Sequence, residues 1–483
     1  MGPVAVIDDI RLDASAPLQD QLYRQLSRRI VDQRFRPGTT LPSSRQLARD
    51  LGVSRNTVNA VYDQLKAEGF LKTRPGKGVF VSEDIEAALN QPQALTGEPA
   101  RSTLPLPPVP DIPPHSLRIA QDANLPFQPG LPDLDAFPIR SWNRILHHQE
   151  SRKVLRGYNE IQGYRPLREA VAEYVRTARG VRCEAHQVMI TNGAQQALSL
   201  IAAVLLQPGD PVLCENPGYR GSRYALGQHG NPLVPVPLKN QVLDVDALEH
   251  LGPARLLFCT PTHQYPMGGI LDIAQRMALL RWAQRNQTWI IEDDYDSEFH
   301  FYNKPFAAIQ GLFDSAPVLY VGSFSKTLMP GLRVGYLVVP EALIDHFLWA
   351  KRVNGGETPL LTQATIAEFI RSGQFTSHLR RMRQLYRDKW RHFQALVQER
   401  LQGRVTPVAE SAGMHLVLEG DFDDVALSQA LRERGFGSTP LSVHYLGDAC
   451  QTGLVMGFAS ASERQMADCV DALHSLLPGA PRS

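Results

Sequence analysis

Long apolar runs are missing from this chain of 483 residues. No stretch approaches the ~18 consecutive apolar residues of a membrane-crossing helix, so no transmembrane span and no membrane partner is expected. The opening MGPVAVIDDIRLD is too acidic and too poor in apolar residues for a secretory signal. Val6 stands where a myristoylation signal carries Ser or Thr. Cysteine is scarce: Cys183, Cys214, Cys259, Cys450 and Cys469 are odd in number, scattered and set in apolar surroundings, and none forms a C-x-x-C pair. That spacing argues against a disulfide framework and offers no thiolate metal site. Buried, reduced thiols in a cytoplasmic protein are the expectation, with no metal. A strong net charge is also lacking, the total being +1. The total hides an asymmetry, because residues 1–82 carry 13 Lys/Arg against 8 Asp/Glu, a local net of +5 on a body of −4. A basic first segment on a slightly acidic body points to a nucleic-acid function at the N-terminus.

A single core rarely grows beyond about 250–300 residues, so two or more domains are expected. In the first, Leu18, Leu22, Leu26 and Ile30 recur every four residues and define one helix face, which Pro37-Gly38 ends. Ser43 or Ser44 caps a short second helix, SRQLARDL, ending at Gly52. Ser54 caps a third, whose core face is Val58, Val61, Tyr62 and Leu65 and which stops at Gly69. In FLKTRPGKGVFVS, Pro75-Gly76 suits the centre of a type II turn between two strands.

Two helices joined through the tight LGVS turn make a helix-turn-helix. The third helix would enter a major groove with Ser54, Arg55, Asn56 and Thr57 at its start, since its apolar face is engaged elsewhere. Arg45 and Arg49 on the second helix are placed for phosphates, and the tip carrying Arg74 and Lys77 for a minor groove or the backbone. The whole run from PLQDQLYRQLSRRI through SRQLARDLGVSRNTVNAVYDQL to KTRPGKGVFV closely resembles a GntR-type winged helix. The resemblance implies binding to double-stranded promoter DNA.

Residues 83–120 change character, with eight prolines and few aromatics, and read as a semi-extended linker. The expected division is 1–82 for the DNA-binding domain, 83–120 for the linker and 121–483 for an effector domain. In that last part helical stretches alternate with VMIT, PVLCE, RLLFCT, WIIED, VLYVGS and GYLVV, the pattern of an α/β domain with a mainly parallel sheet. The tail from about Val405, with HLVLEG, a helix near Val425–Arg434 and LVMGFA, suggests a smaller α+β subdomain. No internal repeat is evident.

Within SFSKTLMPGLRVGYLVVP, Lys326 follows a strand that ends in Ser323. A lysine desolvated there is less readily protonated and can form a Schiff base with an aldehyde. Ser323 and Arg333 supply a hydroxyl and a guanidinium, groups suited to a phosphate. In WIIEDDYDSEF a strand ends in carboxylates, where an Asp can pair with a protonated pyridine nitrogen. In VMITNGAQQALSLIA a strand turns through Asn192-Gly193-Ala194-Gln195 into a helix, whose open amides make an anion site.

With these motifs in this order, residues from about 125 to 460 resemble a fold-type I aminotransferase of class I/II. The full arrangement is similar to the MocR/GabR family of bacterial regulators. The resemblance implies pyridoxal 5'-phosphate, held by Lys326 as an internal aldimine. Asp293 would meet the pyridine nitrogen and Tyr295 the phenolic oxygen. Tyr219 would stack on the ring, and Gly193, Ala194, Gln195, Ser323 and Arg333 would hold the phosphate or lie near it. Tyr158 would reach the phosphate of a partner subunit, which implies a homodimer. Asp294 is the alternative to Asp293; the resemblance implies Asp293, whose 33-residue step to Lys326 is similar to the family's.

The chain also departs from aminotransferases. Their Asn-Pro-x-Gly run appears as HQYPMGG, so Tyr265 or Gln264 replaces the Asn. Leu454 in TGLVMGFAS stands where catalytic members grip a substrate carboxylate with Arg, and Gly221 where a GABA-responsive member carries a second such Arg. The expectation is a cofactor-dependent transcription factor that senses a small amine, an amino acid or pyridoxal phosphate itself. The alternative is a working aminotransferase with a DNA-binding head.

Overall fold

The computed structural model describes residues 5, 7, 9–13, 16–75, 78–85, 124–228, 230–301, 306–313, 316–408 and 412–477. The chain divides into two units, Met1–Asp111 and Ile112–Ser483.

In the first unit, α1 (Leu18–Val31) buries Leu22, Leu26 and Ile30. Leu18, expected on the same face, is 41% exposed because it opens the helix beyond the reach of the core. Ser43 caps α2 (Ser44–Leu51) by accepting from Gln46 N, and Gly52 ends it at φ +67, a left-handed turn that glycine adopts without strain. Ser54 caps α3 (Arg55–Ala67), which turns Val58, Val61, Tyr62 and Leu65 inward. Each of these fully buried side chains contributes about 1.5–3 kcal/mol of transfer free energy. Strands β1 (Leu71–Arg74) and β2 (Gly78–Val81) pair antiparallel, Leu71 against Val81. The turn expected at Pro75-Gly76 has its second central residue, Gly76, outside the described residues, as is Lys77. Ala5, Ile7 and Ile10 also join this core, an addition the sequence pattern did not suggest.

The second unit is built on an eight-stranded sheet. In chain order its strands are β3 (Val188–Thr191), β4 (Val212–Asn216), β5 (Leu233–Lys239), β6 (Val242–Leu243), β7 (Leu256–Cys259), β8 (Trp289–Asp294), β9 (Val318–Ser323) and β10 (Gly335–Val338). Their spatial order is β3-β10-β9-β8-β7-β4-β5-β6. The ladders from β9 through β8, β7 and β4 to β5 are parallel. Strand β10 departs from the parallel expectation and runs antiparallel to both β3 and β9. Residues 324–334 are too few for the crossover that a parallel strand needs, so the chain reverses at once. That reversal carries Lys326 and Arg333. Most positions of the central strands are buried, as in a sheet with helices on both faces.

The C-terminal part forms a separate antiparallel sheet, β11-β12-β14-β13, from β11 (Thr406–Pro407), β12 (His415–Glu419), β13 (Thr439–Pro440) and β14 (Gly453–Gly457). The helix expected over Val425–Arg434 runs one residue earlier, Asp424–Glu433, because Asp423 caps it. Gly457 N donates to Phe127 O at 2.8 Å, which ties the segment around Gly130 to this sheet. All five cysteines are free; four are buried, but Cys450 is exposed, since it sits in the polar loop before β14 rather than in apolar packing. Among the described residues no helix is long and apolar enough to cross a membrane.

Candidate functional site

Strand β9 delivers Ser323 to the carboxyl edge of the sheet. Its hydroxyl accepts from Ser325 N at 3.1 Å and so starts the single helical turn Phe324–Thr327. The turn aims Lys326 inward, where Nζ donates to Gly130 O at 2.7 Å. Gly130 has φ +77, and a Cβ there would stand 2.3 Å from Nζ, so only glycine fits. Burial pulls the Lys326 pKa below the usual lysine range, against the opposing charges of Asp296 and Asp293.

Lys326 opens into a cavity of about 220 Å³. On one side lies the start of the helix Ala194–Leu205, which no side chain caps. Gly193 precedes it at φ +85, and the Arg333 guanidinium lies 3.7–3.9 Å from where its Cβ would be. Arg333 Nη2 donates to Asn192 O at 3.4 Å. Arg333 itself takes φ +50, a costly conformation for a side-chain-bearing residue and one that clusters at ligand sites. Ala194, Gln195, Ser323 and Arg333 all line the cavity, so open amides, hydroxyl and guanidinium converge as an anion cradle. Tyr219 forms the next wall, its hydroxyl accepting from Gln195 Nε2 at 3.2 Å.

Strand alternation separates the two neighbouring carboxylates. Asp293 and Tyr295 line the cavity. Asp294 points the other way, receiving Arg179 Nε at 2.7 Å and the Tyr320 hydroxyl. Burial raises the Asp293 pKa to about 7, helped by the charges of Asp294 and Glu215. Tyr265 also lines the cavity, whereas Gln264 is buried with its amide on Pro217 O and Glu215 Oε2. Met414 and His415, from the small subdomain, close the far wall. Sequence reasoning missed these two, along with Gly130 and Asp296; Asp296 stood within the carboxylate motif, and His415 opened the HLVLEG run that reads only as a strand. Tyr158 is not in the cavity of its own chain and is 98% exposed.

In the first unit Arg45, Arg49, Arg55 and Asn56 are exposed. The Ser54 hydroxyl is occupied by capping, accepting from Thr57 N at 3.1 Å and meeting Thr57 Oγ1 at 2.8 Å. Arg74 stacks over Phe80 at 4.6 Å and bonds Glu83 Oε2 at 3.0 Å, while Lys72 pairs with Asp84. Lys77 lies outside the described residues.

Two family models match this chain: bacterial regulatory proteins of the gntR family over residues 18–81, and aminotransferase class I and II over residues 131–473. The "probable rhizopine catabolism regulatory protein MocR" of Rhizobium meliloti is 39% identical over 477 residues, covering 96% of this chain and 94% of that protein. The chain belongs to the MocR/GabR family of transcriptional regulators. The "HTH-type pyridoxine biosynthesis transcriptional regulator PdxR" of Corynebacterium glutamicum is 31% identical, covering 92% of each chain. Among solved structures, the alpha-aminoadipate aminotransferase LysN of Thermus thermophilus, complexed with N-(5'-phosphopyridoxyl)-L-leucine, is 29% identical with a TM-score of 0.69, covering 74% of this chain and 93% of that one. This MocR-type regulator thus joins a GntR-type DNA-binding head to a fold-type I aminotransferase-like unit.

The family departures take physical form here. A Cβ on Gly221 would meet the Tyr219 hydroxyl at 2.4 Å and Gln195 Nε2 at 2.3 Å, so no arginine fits beside Tyr219 as it is packed. Leu454 needs a correction: it turns into the main core with Leu416 and Leu418. Val455 faces the opposite way, against Met267 of the HQYPMGG loop. Both residues are apolar and neither lines the cavity, and Arg333 is the one arginine among the described lining residues.

Proposed function

We propose that the effector unit of this MocR-type regulator binds pyridoxal 5'-phosphate through Lys326 and senses a small amine or the cofactor itself, as a cytoplasmic homodimer. The observation that carries this is a buried lysine of lowered pKa sharing one cavity with Asp293 and an uncapped helix start. The residues fit the cofactor. The cradle of Ala194, Gln195, Ser323 and Arg333 suits a phosphate. Asp293, a buried acid that the charge of Lys326 only partly offsets, suits a protonated ring nitrogen. Tyr219 offers a flat aromatic wall and Tyr295 a hydroxyl for the ring oxygen. When bound, pyridoxal phosphate supplies an aldehyde for amines to condense with and a ring that withdraws electrons. The chain's own part is to present Lys326 Nζ as a neutral amine, orient the ring and exclude water.

Sensing is favoured over turnover because a transamination cycle must also hold a second substrate in register. An Arg–carboxylate fork is the usual device, and Arg333 sits at the phosphate cradle. The names of the two relatives, one for rhizopine catabolism and one for pyridoxine biosynthesis, support a catabolic small molecule or the cofactor as the signal. The likeness to LysN favours the second reading, an active aminotransferase. Steady-state assays with amino donors and 2-oxoacids separate the two: sustained turnover of about 1–1000 per second establishes the enzyme. Promoter binding that changes with pyridoxal phosphate or an amine, without turnover, establishes the sensor.

The dimer is supported by Tyr158. Its loop is pinned by Glu357 Oε2, which accepts from Asn159 N at 2.8 Å, and by the buried Lys351, which donates to Ile161 O. An exposed ring on a fixed loop is a pre-ordered contact for a partner. Sedimentation of the cofactor-bound protein as a monomer at micromolar concentration would overturn this part.

A further inference from the structure

The small-subdomain side of the cavity holds polar rings that the proposed function leaves unused. His263 and Asp296 are almost fully buried, their side chains 2% and 1% exposed. His263 Nδ1 lies 2.9 Å from Asp296 Oδ1 and 2.8 Å from the Tyr295 hydroxyl. The His263 ring lies nearly parallel to that of Tyr295, with centroids 5.7 Å apart and planes at 27°. The chain closes over the pair at Gly413, which has φ +89. A Cβ there would stand 2.2 Å from His263 Cε1 and 2.9 Å from Asp296 Oδ2. Among the described residues, neither His263 Nε2 nor Asp296 Oδ2 has a hydrogen-bond partner. Burying such atoms costs free energy, so the arrangement serves something other than stability.

One ring nitrogen facing two oxygens constrains the hydrogens. The Asp296 carboxylate only accepts, which puts the hydrogen on Nδ1. Nδ1 then has no lone pair for the Tyr295 hydroxyl hydrogen, and the tyrosine oxygen can only share the same N–H. We infer that His263 and Asp296 are a positioning pair: Asp296 fixes the His263 tautomer, and His263 turns the Tyr295 hydroxyl hydrogen into the cavity, as a donor to the ring oxygen of the cofactor. The inference rests on the proposal that the cavity holds pyridoxal phosphate. A carboxylate ordering a histidine that orders a hydroxyl is a known way to fix a proton's direction.

The test uses the full-length protein loaded with pyridoxal phosphate, read by the pH midpoint of the bound cofactor's visible band and by its dissociation constant. A donor to the ring oxygen favours its ionised form, so losing the donor raises the midpoint. His263→Phe and Tyr295→Phe should each raise it by about one pH unit, the worth of one hydrogen bond to a charged atom. Asp296→Asn releases the tautomer but also removes the carboxylate whose charge favours a proton on Lys326, so its midpoint should lie below that of His263→Phe. In the Tyr295→Phe background, His263→Phe should add nothing, because it acts through that hydroxyl. Gly413→Ala, which displaces the His263 ring without removing a polar group, provides the same reading should His263→Phe not fold. Shifts that add to that of Tyr295→Phe, or a folded, loaded His263→Phe or Gly413→Ala variant with an unmoved midpoint, overturn the positioning role alone. A wild-type protein that takes up no pyridoxal phosphate overturns the proposed function and this inference together.

Discussion

In the DNA-binding head, the groups suited to a ligand stand in water. Arg45, Arg49, Arg55 and Asn56 are exposed on two consecutive helices whose apolar faces are closed into the core. In the effector unit the groups suited to a ligand are withdrawn from water, and burial has changed their chemistry: Lys326 holds its proton less firmly and Asp293 more firmly than in solution. The head meets a polyanion with many small, screened contacts. On the proposed function, the cavity meets one small molecule with a few groups whose protonation is set by the fold. If this contrast is right, substitutions in the cavity should act almost all-or-none and change spectra. Substitutions in the head should act in fractions and respond to salt.

The largest effect should come from Lys326→Ala. Wild-type protein should be yellow and lose its colour on borohydride reduction, with mass spectrometry then placing the adduct on Lys326. The variant should retain no covalent cofactor, while the affinity of its head for nonspecific DNA stays within about twofold, since the head's contacts are electrostatic and local. A labelled peptide elsewhere would break the assignment of Lys326. A parallel collapse of nonspecific DNA affinity would break the separation of the two units.

The contrast also explains what could be read from the sequence. The head was legible because its determinants are contiguous: Ser43, Gly52, Ser54 and the face from Val58 to Leu65 lie within a short run and obey local rules. Leu18 was misplaced because periodicity cannot tell where a core ends. The cavity was legible in pieces, where a strand end meets a turn, as at Gly193, Asp293 and Lys326. Gly130 was not, since it lies 196 residues from Lys326 in the chain and is held there by long-range contacts such as the Phe127–Gly457 pairing. The His263–Asp296 pair was hidden likewise, because neither spacing nor composition reveals that two loops share a buried hydrogen bond. The burial of Leu454 in the main core was hidden too, since in a strand neighbouring residues take opposite faces and the sequence does not say which face meets the core.

Next in size is Arg55→Ala. If Arg55 reads a base edge, specific binding should weaken by about 1–3 kcal/mol, while affinity for random duplex falls less. Titrations against both duplexes measure this. Equal, wild-type affinities would remove Arg55 from the groove.

A smaller effect concerns pH. Burial holds Asp293, and likewise Glu215, near a pKa of about 7. The folded state therefore keeps protons that the unfolded chain releases above about pH 4. Stability from these groups is present at low pH and is lost as pH rises from about 4 through 7. A ring cation would offset the Asp293 part only. The rise in melting temperature on adding pyridoxal phosphate should therefore grow by a few degrees, roughly, between about pH 5.5 and 8. That growth should vanish in Asp293→Asn; if it persists there, Asp293 is not the ring's partner.

The smallest effect should arise where the head has its charges already paired. Arg74 and Lys72 on β1 are engaged by Glu83 and Asp84, all four side chains being roughly half exposed or more. Exposed pairs of this kind contribute about 0–1 kcal/mol each, so Glu83→Gln with Asp84→Asn should barely change thermal stability. Their effect on DNA should be plainer. To meet phosphates the two cations must leave these acids, and the acids themselves repel the backbone. Removing both should tighten binding to specific and random duplexes alike, by up to about tenfold at low salt. The dependence of log affinity on log salt should steepen by about 0.9 for each phosphate newly neutralised. An unchanged salt slope would mean that Lys72 and Arg74 never reach the duplex, and DNA recognition would then rest on α2 and α3 without the β-hairpin.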